Sequence, residues 1–227
     1  MRDRFSLLEF AIVLGAAFGT SVIGSVGDLL SGKTVGAPGA RDAFNAASTE
    51  AVIVYELFIA PALVVVLYAG GWRLKDFRLG PSVAATLMGI VIAAGMWAAD
   101  WLLAGMLKLA FPSLQSTLEL LQNYKPESPP GVLAIALLSV VNPVFEEVFV
   151  CAYVIKALSA RFGATAALNI SVAIRASYHL YQGVIMLPWH CVYGLVQAHV
   201  YVRYGRLWPL FVSHAVLDFA AMMVLAS

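Results

Sequence analysis

Charge is what this chain has least of. Of its 227 residues only 12% are Asp, Glu, Lys or Arg, while 61% are hydrophobic. Soluble domains carry roughly 25% charge, so an ordinary soluble globular domain is excluded. Disorder is excluded as well, because it requires low hydrophobicity and high charge. The formal net charge of +1 supplies no basic field, and no nucleic-acid partner is expected. Cysteine is scarce too. Cys151 and Cys191 both lie in apolar stretches and form neither a disulfide framework nor a CxxC zinc site. No HExxH sequence occurs, and Ser213 sits directly beside His214, a spacing at which helical side chains do not face each other. No serine nucleophile stands out.

Long apolar runs are what the chain has instead. Segments 10–27, 79–99, 128–145 and 176–202 contain no Asp, Glu, Lys or Arg. Each approaches or exceeds the ~20 residues a helix needs to cross a bilayer. With isolated ionisable residues allowed, spans fall near 7–27, 51–69, 82–108, 131–156, 164–181, 183–203 and 207–226. The expected fold is therefore all-α, a polytopic membrane helix bundle of about seven transmembrane helices. The first run follows Arg2 and Arg4 as a signal peptide would, but it exceeds the 7–15 residues of a signal core and is read as a retained span. The segment 28–50 reads as a polar loop. Pro126, Pro129 and Pro130 separate an N-terminal three-span section, 1–130, from a four-span section, 131–227, within one membrane domain.

Orientation follows from Lys and Arg in the loops. Arg2, Arg4, Arg73, Lys75, Arg78, Lys156, Arg161, Arg203 and Arg206 fall on the N-terminal side, against Lys33, Arg41, Lys108 and Lys125 on the other. The expectation is a multi-pass integral membrane protein with a cytoplasmic N-terminus.

Several side chains are out of place at bilayer depth, where each ionisable group costs at least ~2.5–3.5 kcal/mol on insertion scales. The fourth span carries Glu146 and Glu147 just after Pro143, the fifth Arg175, Tyr178 and His179, and the seventh His214 and Asp218. Convergence would offset their separate costs. His214 and Asp218 are i and i+4, as are Arg175 and His179, so each pair shares a helix face. Glu146 and Glu147 are neighbours about 100° apart. One is expected to face a reacting centre and the other a neighbouring helix or a cation, with Arg175 the candidate. A carboxylate with imidazoles can deprotonate water and aim it at a carbonyl, while a second imidazole donates to the oxyanion. Alternatively one Glu and two His can bind zinc and leave a position open for water. Both routes end in amide hydrolysis. Two rival readings use the same residues. One is interhelical polar contacts in a catalytically silent membrane immunity or partner-binding protein. The other is a proton-coupled transporter, against which stands the absence of an inverted repeat.

Three segments in order resemble the CPBP intramembrane proteases, also called the CAAX-protease and bacteriocin-processing or Abi family. They are Asn-Pro-Val-Phe-Glu-Glu at 142–147, Arg-Ala-Ser-Tyr-His-Leu-Tyr-Gln-Gly at 175–183, and the stretch 206–218 that ends in His-Ala-Val-Leu-Asp. The resemblance covers roughly 131–222 and implies a four-helix catalytic core. It implies Glu146 as the general base that activates water, assisted by His179, with Glu147 as its support. His214 and Asp218 become an oxyanion-stabilising or metal-binding pair. A glutamate mechanism requires no cofactor. The family's metalloprotease label implies zinc on Glu146, His179 and His214. The implied substrate is a peptide or membrane protein met in the lipid bilayer of a bacterial cell membrane. One position departs from the pattern. Where the family usually has Glu-Glu-x-x-x-Arg, this chain has Cys151, and Arg175 is expected to stand in by pairing with Glu147.

Other polar residues receive plainer expectations. Glu56 and Asp100 lie outside the matched region and are expected to make polar contacts or lie near an interface. His190 and His199, nine residues apart on the sixth span, are not expected to touch the site. Trp72, Tyr204 and Trp208 suit interfacial belts. Gly183 and Pro188 break the start of the sixth span, opening a path for substrate or water.

Overall fold

The computed structural model describes residues 6–227. Arg2 and Arg4, counted above for orientation, lie outside the described residues. The described chain is mostly helical, with no strand among those residues. Ten α-helices follow one another. They are α1 (Leu7–Leu30), α2 (Ala46–Ala69), α3 (Leu74–Phe77), α4 (Val83–Ala110), α5 (Gln115–Gln122), α6 (Val132–Glu146), α7 (Val154–Phe162), α8 (Ala164–Tyr178), α9 (Leu187–Tyr204) and α10 (Trp208–Ala226). A π-helical segment, Glu147–Tyr153, joins α6 to α7, making one 31-residue rod.

Side-chain caps start α2 and α4. Asn45 Oδ1 accepts from Ser48 N at 2.8 Å, and Ser82 Oγ accepts from Ala85 N at 3.2 Å, each satisfying an amide that a helix start would orphan. Gly205, at φ 63°, ends α9 in the left-handed conformation that glycine adopts without penalty.

Five described helices are long and apolar enough to cross a membrane: α1, α2, α4, the α6–α7 rod and α10. The other two expected spans differ. With 15 residues, α8 is about 22 Å long, short of a ~30 Å hydrocarbon core. With 18 residues, α9 carries His190, Gln197, His199 and Arg203, which dilute its apolarity. Between them, Leu180–Gln182 and Val184–Met186 form two 3-10 turns. Val35 N donates to Tyr181 O at 2.9 Å, pinning the α1–α2 loop over that turn. Ser25 Oγ of α1 donates to the carbonyl of Tyr178 at 2.7 Å. The chain is thus a multi-pass membrane bundle of at least five spans, with α8 and α9 paired within it. The short helix α5 was not expected. It lies between two spans and presents only Leu118 inward.

The core gathers around the α6–α7 rod, where Phe145, Phe149 and every residue from Val150 to Ile155 are buried. Phe18 of α1 stacks on Tyr178, ring centroids 4.9 Å apart. The front helices brace the back ones: α1 packs on α8, α2 on α6 and α4 on α10. Gly89 is what lets α4 approach α10. A Cβ there would come within 2.6 Å of Val212 Cβ and 2.7 Å of Pro209 O. Facing outward, Phe58 and Leu109 are each 85% exposed, as lipid contact allows and water would not favour.

Candidate active site

The irregular turn of the central rod sets the geometry. Glu146 is the last residue of α6 and Glu147 the first of the π segment, midway along the rod. A π turn inserts an extra residue into the helical ladder, re-aims the side chains that follow, and recurs at functional sites. The two glutamates keep helical backbone angles and so diverge as neighbours on a helix do. Here one guanidinium reaches both. Arg175 Nη1 donates to Glu146 Oε2 at 2.9 Å, and its Nη2 donates to Glu147 Oε1 at 2.7 Å. Arg175 is 2% exposed and Glu147 fully buried. The guanidinium also lies 5.2 Å from the centroid of the Tyr193 ring.

Each glutamate has further partners. Tyr178 OH donates to Glu146 Oε2 at 2.7 Å, and Asn142 Nδ2 donates to Glu146 Oε1 at 3.3 Å. His214 Nδ1 lies 2.8 Å from Glu147 Oε1, the geometry of an imidazole N–H donated to a carboxylate. That bond leaves Nε2 as the ring's other functional atom, 3.5 Å from Asp218 Oδ1. Tyr193 sets the His214 ring edge to face, with centroids 5.4 Å apart. Behind it, Gln197 Nε2 donates to Tyr193 OH at 2.7 Å and to Ser213 Oγ at 2.9 Å.

The structure therefore draws Glu146, Glu147, Arg175, His214 and Asp218 into one chain of contacts from α6, the π segment, α8 and α10. His179 stands apart from that chain. Capping the end of α8, it makes no described hydrogen bond to Glu146 and leaves its Nδ1 buried without a protein partner. Its ring stacks on His190, centroids 4.1 Å apart and planes 3° from parallel. That corrects the expectation for His190. Because the 3-10 turns fold the start of α9 back beneath the end of α8, His190 comes against His179, with its Nε2 3.0 Å from Gln182 Oε1. His199 is exposed on α9, and Asp100 is exposed on α4. Glu56 does make a polar contact, and that contact leads into the site. Its Oε1 accepts from Asn142 Nδ2 at 2.8 Å. Asn142 itself carried no signal beyond its place in the Asn-Pro segment.

Among the described residues, no group of three His, Cys, Asp or Glu is placed to share a metal ion. Of the residues the resemblance would place on zinc, Glu146 has its Oε2 engaged by Arg175 and Tyr178, His214 has its Nδ1 engaged by Glu147, and the His179 ring is stacked on His190.

Residues 128–220 match the family described as Rce1-like, type II CAAX prenyl endopeptidases. The match covers 93 of the 227 residues. It agrees with the resemblance read from the three motifs and holds the whole contact chain from Asn142 to Asp218, with Glu56 outside it. The kinship supports a protease. No curated protein and no solved structure matches the chain.

Proposed function

We propose that the chain is an intramembrane endopeptidase in which Glu146 is the general base that activates water. The observation that carries this reading is the buried contact chain Glu146–Arg175–Glu147–His214 at mid-depth of the central rod. A membrane helix that needed only packing would not hold two carboxylates, a guanidinium and an imidazole there.

The roles follow from the contacts. Arg175, Tyr178 and Asn142 fix the plane of the Glu146 carboxylate. Asn142 makes the longest of these bonds, so Oε1 is the oxygen freer to take a proton from water. Glu147 orients His214 through Nδ1, as a carboxylate orients the imidazole of a hydrolase triad. With the ring doubly protonated, Nε2 also carries an N–H, which can donate to a carbonyl oxygen as it gains charge, with Asp218 beside it. Water adds to the scissile carbon, its proton passes to Glu146, and the tetrahedral oxyanion is met by His214. Collapse breaks the C–N bond, and the proton held by Glu146 goes to the leaving amine. No metal enters this scheme. The substrate class we propose is a peptide whose cleaved end reaches the site within the bilayer, a prenylated CAAX-type peptide being the first candidate.

The nearest rival is a silent, partner-binding membrane protein. It is favoured by the guanidinium that ties up both carboxylates. One experiment separates the two. Purified protein in liposomes is given a farnesylated CAAX-type peptide in H₂¹⁸O, and the products are weighed. A peptide shortened at its C-terminus, with one ¹⁸O in the new carboxylate, is the expected result. An intact peptide under conditions in which the protein stays folded favours the silent reading.

A further inference from the structure

The front helix α2 reaches the site through a side-chain hydrogen bond. Glu56 lies on α2, outside the Rce1-like stretch, and is 5% exposed. Its Oε1 accepts from Asn142 Nδ2 at 2.8 Å. The same nitrogen donates to Glu146 Oε1 at 3.3 Å. An amide NH₂ has two hydrogens, so both are committed, one to each carboxyl group. Asn142 is thereby held from two sides, one turn before Glu146 on the same helix. The Oε2 of Glu56 is buried without a protein partner. A carboxyl group at this depth that makes a single described contact is a poor packing device, since an aliphatic side chain would fill the space at lower cost.

We infer that Glu56 is a positioning residue of the active site, holding Asn142 and through it the Glu146 carboxylate. The inference rests on the proposal that Glu146 is the base. It extends the site to α2, so the front section contributes to catalysis as well as bracing the core. Without the Glu56 acceptor, the Asn142 amide is free to rotate off Glu146. The carboxylate then keeps only the two donors on Oε2, and Oε1, the oxygen that meets water, loses its fixed direction.

The test uses the full chain in liposomes with a fluorogenic farnesylated CAAX-type peptide as probe. Glu56→Leu is expected to lower kcat by up to ~10²-fold, the scale of a small misplacement of reacting groups, with KM unchanged. Glu56→Gln keeps an acceptor oxygen and should restore most of kcat. The double variant Glu56→Leu with Asn142→Leu should be no slower than Asn142→Leu alone, because Glu56 acts through Asn142. An infrared arm needs no substrate. The carboxylate band that disappears in Glu146→Gln should shift in Glu56→Leu and stay in place in Glu56→Gln. Unchanged kcat and an unmoved band in Glu56→Leu would overturn the inference. So would equal loss in the Leu and Gln variants, or additive losses in the double variant. Full activity in Glu146→Gln would instead overturn the base assignment, and the infrared arm would still decide whether Glu56 positions the carboxylate.

Discussion

Arg175 Nη2 lies 2.7 Å from Glu147 Oε1, with both side chains out of reach of solvent. The guanidinium enters from α8 and occupies the role expected of a basic residue at position 151, where the central rod has Cys151 instead. Cys151 is 1% exposed and lies within electrostatic reach of both Glu147 and Arg175. The positive charge is thus supplied across a helix–helix contact.

Removing that charge should unfold as well as inactivate. Breaking a buried pair strands the other charge at a cost of ~3–5 kcal/mol, and Arg175→Ala strands two carboxylates. A large fall in melting temperature in detergent is expected, together with loss of peptide cleavage. Adding Cys151→Arg to Arg175→Ala should recover part of both, because it returns a cation to the same cluster. Unchanged thermal stability in Arg175→Ala would contradict the pairing.

His214 and Asp218 should differ in weight. His214 is buried and bonded to Glu147, whereas the Asp218 carboxylate is 3.5 Å from His214 and its side chain is 26% exposed. His214→Ala is expected to reduce kcat by ~10²–10³-fold, the effect of losing one oxyanion donor. Asp218→Asn should cost much less. Equal losses would mean that Asp218 itself touches the reacting atoms.

Cleavage should persist in the presence of a zinc chelator such as 1,10-phenanthroline, since no group of three His, Cys, Asp or Glu among the described residues is placed to share an ion. Inhibition that added zinc reverses would move the mechanism to metal-activated water.

The α4–α10 contact offers a test of packing alone. Gly89→Val would drive a Cβ into Val212 and the carbonyl of Pro209, and overpacking of this kind costs ~1–3 kcal/mol. A lower melting temperature with normal kcat per folded molecule is expected.

Much of the site was legible because its spacing is local to single helices. The pair His214–Asp218 shares a face by helical periodicity, and ionisable groups at bilayer depth flag themselves by cost. What crosses between helices was not legible. Nothing in the local pattern says that α2 lies against α6, so Glu56 could not be connected to Asn142. Nor could spacing show that Arg175 would bridge both glutamates, because neighbouring side chains on a helix diverge and the bridging guanidinium comes from another helix, α8. The pairing of His190 with His179 depends on two 3-10 turns inside what reads as one apolar stretch. The same turns explain why α8 is too short to count as a span of its own. The bundle itself was plain from charge scarcity and run length.

The most direct measurement is the turnover of Glu146→Gln on the farnesylated peptide, with melting temperature recorded on the same sample. Glutamine keeps one oxygen acceptor, which Arg175 and Tyr178 can share as they share Oε2, so the fold should survive while the proton acceptor is gone. The account predicts a loss of ~10²–10⁴-fold in kcat with a melting temperature close to wild type. A folded Glu146→Gln variant that cleaves within a few-fold of wild type would contradict it.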